Sequence, residues 1–180
     1  MSDPVLIMPG FGNSGPQHWQ SLWQQSSPEF ERVQQRDWNN PVCEEWIAAL
    51  EAAARRVGPG VVLVAHSLAC LVIAHWAVQA HAPIKGVLMV AVPDPTEPVF
   101  PKEAIGFGVT PTKPFAFPSI VVASTDDPYA TVEHTARLSG AWGSRFVSIG
   151  ARGHINASSG LEAWPEGVEL LSQLRGSQAV

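Results

Sequence analysis

A serine at the end of an apolar run has the spacing of an enzymatic nucleophile. The run 61–65 leads into Ser67, with Ala65 and Ala69 two residues before and after it. A nucleophile elbow needs small residues at these two places, because strand and helix approach closely at a strained turn. Alanines replace the usual glycines, so an ordinary helix-capping serine is the alternative. His66 is expected to turn its side chain away from Ser67.

An aspartate and a histidine follow that serine, and serine, acid, histidine is one of the chain orders found in hydrolytic triads. Asp127 stands directly before Pro128, and His154 lies in a glycine-punctuated loop. We predict that His154 takes the proton of Ser67 as a general base and that Asp127 orients its imidazole. Asp126 is the alternative acid, because one of the two aspartates is expected to cap the helix that starts near the proline.

A glycine-rich loop after the first apolar run allows two interpretations. One is a dinucleotide site, since the G-x-G-x-x-G pattern is met by Gly10, Gly12 and Gly15. Asp37 then stands where a ribose-binding acid would lie. Pro16 counts against this interpretation, because it would fall inside the first turns of the helix that such a loop begins.

The second interpretation of the loop is an oxyanion hole, which needs backbone N–H groups presented by a tight turn beside the serine. We predict the amides of Phe11 and Leu68 as the two donors. Gly12, His18 and Trp19 are expected to contact the substrate. For Trp19, burial in the core is the alternative, since aromatic side chains are usually buried.

Strand-like and helix-like segments alternate along the chain, and this alternation predicts how the candidate residues are positioned. The predicted strands are 5–8, 32–36, 61–65, 85–92, 119–124 and 145–149, and the predicted helices are 16–25, 42–57, 68–78, 129–138 and 161–174. This order predicts an α/β fold with a parallel sheet, helices on both faces and right-handed crossovers. Ligands bind at the carboxyl ends of the strands in such sheets, and the serine, aspartate and histidine all fall there.

Segment 93–118 interrupts the alternation. It contains seven prolines and no long periodic stretch. The phenylalanines at positions 100, 107, 115 and 117 favour packing over disorder. We interpret the segment as a substrate-side flap that is too short to be a lid domain.

Length, charge and cysteine content narrow the possible functions. The 180 residues predict a single domain over 1–180, and a net charge of −5 without a basic cluster argues against nucleic acid and anionic membranes as partners. Neither a signal peptide nor a membrane span is predicted, so a cytoplasmic location is expected. Cys43 and Cys70 are expected to be reduced and buried. No Cys/His cluster or H-E-x-x-H pattern occurs, so neither metal nor cofactor is expected.

Five segments together are similar to those of a known family. They are Pro9-Gly10-Phe11-Gly12 with His18-Trp19, Gln35-Arg36-Asp37-Trp38-Asn39-Asn40-Pro41, His66-Ser67-Leu68-Ala69, Ser124-Thr125-Asp126-Asp127-Pro128, and Gly153-His154. The chain resembles, over nearly its whole length, the small lidless serine hydrolases of the α/β-hydrolase fold that include the retinoblastoma-binding serine hydrolase and its short bacterial relatives. The resemblance implies a Ser-Asp-His triad and a three-layer αβα sandwich with six parallel strands in the order 2-1-3-4-5-6. Asp37-Trp38 looks like a family signature, and we expect a structural corner there.

These observations predict a serine hydrolase that cleaves a small acyl ester, or a related thioester or amide, through an acyl-enzyme intermediate. The expected partner is therefore a small acyl substrate, and the oligomeric state stays open. A catalytically silent binding module on the same scaffold is the alternative from a different class, since a fold can outlive its chemistry. A dinucleotide-binding domain is the third possibility.

Overall fold

Six strands form one sheet, in which every neighbouring pair is parallel. The computed structural model describes residues 3–176. The strands are β1 (Val5–Met8), β2 (Phe30–Arg32), β3 (Val62–His66), β4 (Gly86–Val90), β5 (Ser119–Ala123) and β6 (Arg145–Ser148). Their order in the sheet is β2-β1-β3-β4-β5-β6, which confirms the predicted topology.

Helices cover both faces of the sheet. They are α1 (Trp19–Ser26), α2 (Cys43–Val57), α3 (Leu68–Ala77), α4 (Val132–Trp142) and α5 (Pro165–Gly176), with a short 3₁₀ turn at Ala157–Ser159. Apolar side chains of α2, α3 and α4 pack on one face, and those of α1 and α5 pack on the other. The central strands β1, β3, β4 and β5 are consequently buried along their whole length, as continuous apolar runs require.

The second strand lies earlier in the chain than the predicted 32–36. The amide of Val33 makes the last bond to β1, donating to the Ile7 carbonyl at 2.9 Å. The chain then turns at Asp37, whose carboxylate accepts the amides of Asn39 and Asn40 at 2.8 and 2.9 Å. Residues 34–36 therefore leave the sheet, and the expectation of a structural corner at Asp37-Trp38 agrees with this turn.

Several helices begin later than predicted, because side chains outside the apolar pattern define their starts. His18 caps α1, and its Nδ1 accepts the Gln20 amide at 3.1 Å. Thr131 caps α4, and its hydroxyl accepts the His134 amide at 3.1 Å. The expectation that an aspartate beside Pro128 caps this helix is therefore wrong.

Segment 93–118 has no helix or strand, and its aromatic rings hold it against the fold. Phe107 is buried, and the Phe115 ring stacks on Trp142 with the centroids 5.2 Å apart. The free thiols of Cys43 and Cys70 are both buried. Among the helices within residues 3–176, none is long and apolar enough to cross a membrane.

Candidate active site

Ser67 lies on a strained turn between β3 and α3. Its φ of 55° and ψ of −125° put a non-glycine residue in a sparsely populated region. Its hydroxyl makes no capping hydrogen bond to the helix, so the capping alternative is excluded. The turn instead presents the hydroxyl at the carboxyl end of the central strand, where ligands bind in such sheets.

The turn is possible because small residues surround it. Ala65 and Ala69 are both completely buried, so a larger side chain at either position would have to displace packed neighbours. A Cβ on Gly10 would lie 2.9 Å from the His66 carbonyl oxygen and 2.9 Å from the Ser67 Cβ. The first glycine of the loop after β1 is therefore required for the close approach of that loop to the turn.

His154 and Asp127 meet the Ser67 hydroxyl in a continuous hydrogen-bonded line. The His154 Nε2 atom lies 2.7 Å from Ser67 Oγ, and its Nδ1 lies 2.9 and 3.0 Å from the two Asp127 carboxylate oxygens. Because the carboxylate can only accept, Nδ1 carries the proton and Nε2 accepts from the serine hydroxyl. Both the His154 and Asp127 side chains are largely buried, with 11% and 5% exposed.

The neighbouring carboxylate, Asp126, does not touch the imidazole. Its Oδ1 accepts the Ser124 hydroxyl and the Gly153 amide, each at 2.7 Å. The Ser124 hydroxyl, followed by the Gly153 amide, lowers the pKa of Asp126 by stabilising its charged form. Asp126 therefore ties the loop of His154 to the end of β5, and Asp127 is the carboxylate that faces the ring.

Two backbone amides beside the serine are available to a bound group. Leu68 is the first residue of α3, so its N–H has no partner within the helix. Within the described residues, neither the Leu68 amide nor the Phe11 amide donates a hydrogen bond. Both residues line the same cavity as Ser67. Free amides at a helix N-terminus are suited to stabilise negative charge.

The cavity over Ser67 has a volume of about 300 Å³. Its walls combine apolar side chains with polar groups from the loops after β1 and β6, and its lining includes Phe11, His18, Leu68, Phe100, Tyr129, His154 and Asn156. Phe100 belongs to segment 93–118, so this segment forms part of the cavity wall. Sequence reasoning missed Tyr129, whose ring lies 4.4 Å from that of His154, and Asn156.

Two of the three residues expected to contact the substrate do not line the cavity. Trp19 is 1% exposed and packs against Trp23 and Trp164, with ring centroids 4.8 and 5.1 Å apart. Gly12 does not line the cavity, and its amide donates to the Trp38 carbonyl at 2.8 Å. The indole belongs to the core, and the glycine joins its loop to the corner after β2. Of the three residues, His18 alone lines the cavity.

His66 lies beneath His154, a contact that the expected orientation away from the Ser67 side chain did not predict. Its Nε2 is 2.9 Å from the His154 carbonyl oxygen, and the two rings are 5.0 Å apart. The His18 ring packs edge-on against it at 4.7 Å. Alternation along β3 gives only the orientation of His66, because neighbouring strand residues face opposite sides of the sheet, and its partner 88 positions away depends on the fold.

Burial keeps the floor of the cavity uncharged. Burial, followed by the charges of Arg32 and His154, lowers the pKa of His18 to about 4. The pKa of His66 is also lowered well below its usual value, first by burial and then by His18. Two neutral imidazoles therefore lie under the catalytic candidate His154 at neutral pH.

The loop after β1 differs from a dinucleotide-binding turn. Helix α1 begins at Trp19, four positions after Gly15, so the last glycine does not open a helix. The Asp37 carboxylate is occupied by its own turn, where it accepts the side chain of Asn40 at 3.1 Å as well as backbone amides. These features leave no ribose-binding acid at the end of β2.

A serine on a strained turn after the central strand, in a parallel sheet of this order, defines the α/β-hydrolase fold. A sequence model for the serine hydrolase family matches residues 5–173. The chain belongs to this family and is a hydrolase.

Solved structures share this fold over nearly the whole chain. A YdeN-like hydrolase from Pectobacterium atrosepticum is 28% identical, with a TM-score of 0.84 over 96% of this chain and 90% of that one. The ydeN gene product of B. subtilis is 18% identical, with a TM-score of 0.79 over 98% and 100% of the two chains. A thermophilic esterase from Thermogutta terrifontis is 17% identical, with a TM-score of 0.66 over 96% and 90%. No curated protein matches the sequence.

Proposed function

We propose that the protein hydrolyses a small acyl ester, or a related thioester or amide, with Ser67 as nucleophile, His154 as general base and Asp127 as the orienting acid. The observation that carries this proposal is the pair of hydrogen bonds on one imidazole, with Ser67 Oγ at 2.7 Å from Nε2 and the Asp127 carboxylate at 2.9 Å from Nδ1. A neutral imidazole held in this tautomer can accept the serine proton.

In the first half of the reaction, Ser67 Oγ attacks the carbonyl carbon of the substrate while its proton moves to His154 Nε2. The carbonyl oxygen becomes an oxyanion and accepts hydrogen bonds from the Phe11 and Leu68 amides. Asp127 stabilises the imidazolium. That imidazolium then gives its proton to the leaving group as the bond to the carbonyl carbon breaks, which leaves an acyl ester on Ser67.

In the second half, water replaces the leaving group. His154 Nε2 takes a proton from water as the water oxygen attacks the acyl carbon, and the same two amides hold the new oxyanion. The proton then passes to Ser67 Oγ as the ester bond breaks. The products are a carboxylic acid and the regenerated enzyme.

The size of the cavity supports a small acyl group. About 300 Å³ lies at the lower end of the range for ligand pockets. The side chains of Phe11, Leu68 and Phe100 supply apolar wall beside the serine. We therefore infer that short acyl chains are cleaved faster than long ones.

Hydrolysis of short-chain nitrophenyl esters, measured together with fluorophosphonate labelling, tests the proposal. We expect the wild-type protein to be labelled, and Ser67→Ala to lose label and about 10³-fold or more of its rate, because the members of such a triad act as a unit. Ser172→Ala is the matched control, since this serine lies on the exposed face of α5. Full activity in Ser67→Ala, together with an unlabelled wild type, would overturn the proposal. A binding module would hold ligand without turnover or label.

A further inference from the structure

The backbone that carries His154 rests on three buried aromatic side chains, His18, Trp19 and His66, which we call the support cluster. His18 lies between the other two, with ring centroids 5.2 Å from Trp19 and 4.7 Å from His66. Trp19 and His66 meet edge-on at 6.0 Å. The three side chains are 4%, 1% and 5% exposed, so they form a packed unit.

His66 holds the carbonyl group of His154 itself. A carbonyl oxygen only accepts, so the His66 Nε2 atom at 2.9 Å must carry the proton and donate it. The bond is shielded from water, and an apolar side chain in place of His66 would leave the His154 carbonyl oxygen without this donor.

Trp19 holds the next carbonyl group in the chain. Its Nε1–H donates to the Ile155 carbonyl oxygen at 2.8 Å, across 136 positions of sequence. Two consecutive peptide groups, those of His154 and Ile155, are thus fixed by side chains from two different elements, β3 and α1. If only one of these two hydrogen bonds were present, the other peptide group could still rotate.

The backbone at Ile155 has a strained conformation that these two hydrogen bonds can hold in place. Ile155 has a φ of 47°, in the left-handed region that a β-branched residue rarely adopts, and its side chain is completely buried. Strained conformations persist where surrounding contacts over-determine them. The strain follows directly after His154, so its relief would move the imidazole.

We propose that His66 and Trp19 are positioning residues that keep the His154 imidazole within reach of Ser67 by fixing the strained backbone at residues 154–155. This inference rests on the proposed function, because it assigns the two side chains a task in that reaction. It also gives a role to the His18-Trp19 pair of the sequence, although the indole does not reach the cavity. His18 fills the space between the two donors and keeps both rings in place.

Variants of His66 test the inference through the split between kcat and KM. His66→Leu removes the donor, and we expect kcat to fall about 10- to 100-fold with KM within about twofold, because a small misplacement of a catalytic group costs rate rather than binding. The rate of fluorophosphonate labelling of Ser67 should fall in parallel. His66→Gln places an N–H close to the position of Nε2, so it should recover most of kcat.

Trp19→Phe is the second variant, and it keeps the inference testable if His66→Leu does not fold. It retains an aromatic ring but loses the bond to Ile155, and we expect the same fall in kcat with unchanged KM. Trp142→Phe is its matched control, because it removes an equally buried indole donor, to the Pro111 carbonyl at 2.8 Å, away from the cavity. His75→Leu, on α3 and outside the cavity lining, makes the same substitution away from the site and is a second control.

The outcomes separate this inference from the proposed function. Wild-type kcat in His66→Leu and Trp19→Phe, with Ser67→Ala inactive, would overturn the positioning role and leave the hydrolase mechanism standing. Equal losses in the test and control variants would also overturn it, because the effect would then be general destabilisation. An active Ser67→Ala would instead overturn the proposed function.

Discussion

Two adjacent carboxylates bind neighbouring residues of the same loop, one through a backbone amide and the other through a side chain. Asp127 faces the imidazole of His154, whereas Asp126 binds the Gly153 amide one residue earlier. Asp127 also accepts the Tyr129 amide at 2.9 Å, which fixes the orientation of its carboxylate. The two side chains therefore make different contacts although they have the same chemistry and neighbouring positions.

Replacing each aspartate by asparagine should separate these functions. Asp127→Asn should lower kcat by up to about 10⁴-fold, because an amide in this position favours the wrong imidazole tautomer. Asp126→Asn should cost about tenfold or less, since an amide oxygen can still accept from Ser124 and Gly153. Ester hydrolysis by the two purified variants measures the difference. Similar losses in both would show that Asp127 has no special role in catalysis.

Sequence reasoning worked best for residues that directly follow a strand, because the topology of the sheet alone decides where they lie. Ser67, Asp127 and His154 each follow a strand, and the sheet brings strand ends together whatever the details of packing. It failed for Trp19, because an indole beside a predicted site and an indole in the core look alike in sequence. What distinguishes the two cases here is the hydrogen bond of the indole to the carbonyl of Ile155, which is distant in sequence.

At the scale of elements, the loop after β1 and the turn after β3 depend on each other. Gly10→Ala should push the two apart, because its Cβ would meet backbone and Cβ atoms of residues 66 and 67. We expect at least about a 100-fold loss of kcat, since small displacements of catalytic groups are costly. Gly108→Ala, in segment 93–118 with open space around it, is the control. Unchanged activity in Gly10→Ala would show that the turn tolerates a wider spacing.

Two helical glycines should respond to alanine with opposite signs. Gly140 in α4 has open space, so Gly140→Ala should raise the free energy of unfolding by about 0.5–1 kcal/mol. Gly167 in α5 lies against the Trp164 ring, and a Cβ there would overlap it. Gly167→Ala should therefore lower the free energy of unfolding by about 1–3 kcal/mol. Urea unfolding of both variants gives the signs, and a gain at Gly167 would mean that the indole moves freely.

Element type was predictable from sequence, and several element ends were not. Apolar patterns identified the buried strands β1, β3, β4 and β5 and all five α-helices of the described residues, because the sheet has two covered faces. The ends depend on polar side chains such as His18 and Thr131, which cap helices by contacts that the apolar pattern does not contain. The polar edge strand β2 was displaced for the same reason, since Asp37 turns the chain out of the sheet.

For the whole molecule, the buried imidazoles predict loss of stability in mild acid. His18 has a folded-state pKa of about 4, below its ordinary value of 6.5, so the unfolded chain binds the proton first as the pH falls. The contribution of neutral His18 to the free energy of unfolding is complete above pH 6.5 and is lost as the pH falls towards 4. At about pH 5 the loss is about 2 kcal/mol. His66 acts in the same direction.

His18→Asn should reduce this pH dependence. Asparagine is a good N-cap and does not titrate, so it can accept the Gln20 amide while removing one of the proton-linked groups. Urea unfolding between about pH 7 and pH 5 should show a smaller loss of stability than in the wild type. Equal slopes for the two proteins would mean that His18 is not the group responsible.

Segment 93–118 is a place where the chain can be cut into two fragments. It joins the neighbouring strands β4 and β5, and near its tip Val109 is 84% exposed. A break beside that residue separates a fragment with Ser67, the proposed nucleophile, from one with His154, the proposed base. Strands β4 and β5 can still pair across the break. Exposed loop tips tolerate such breaks. The two fragments, expressed separately, should assemble by complementation, and hydrolysis would report their encounter.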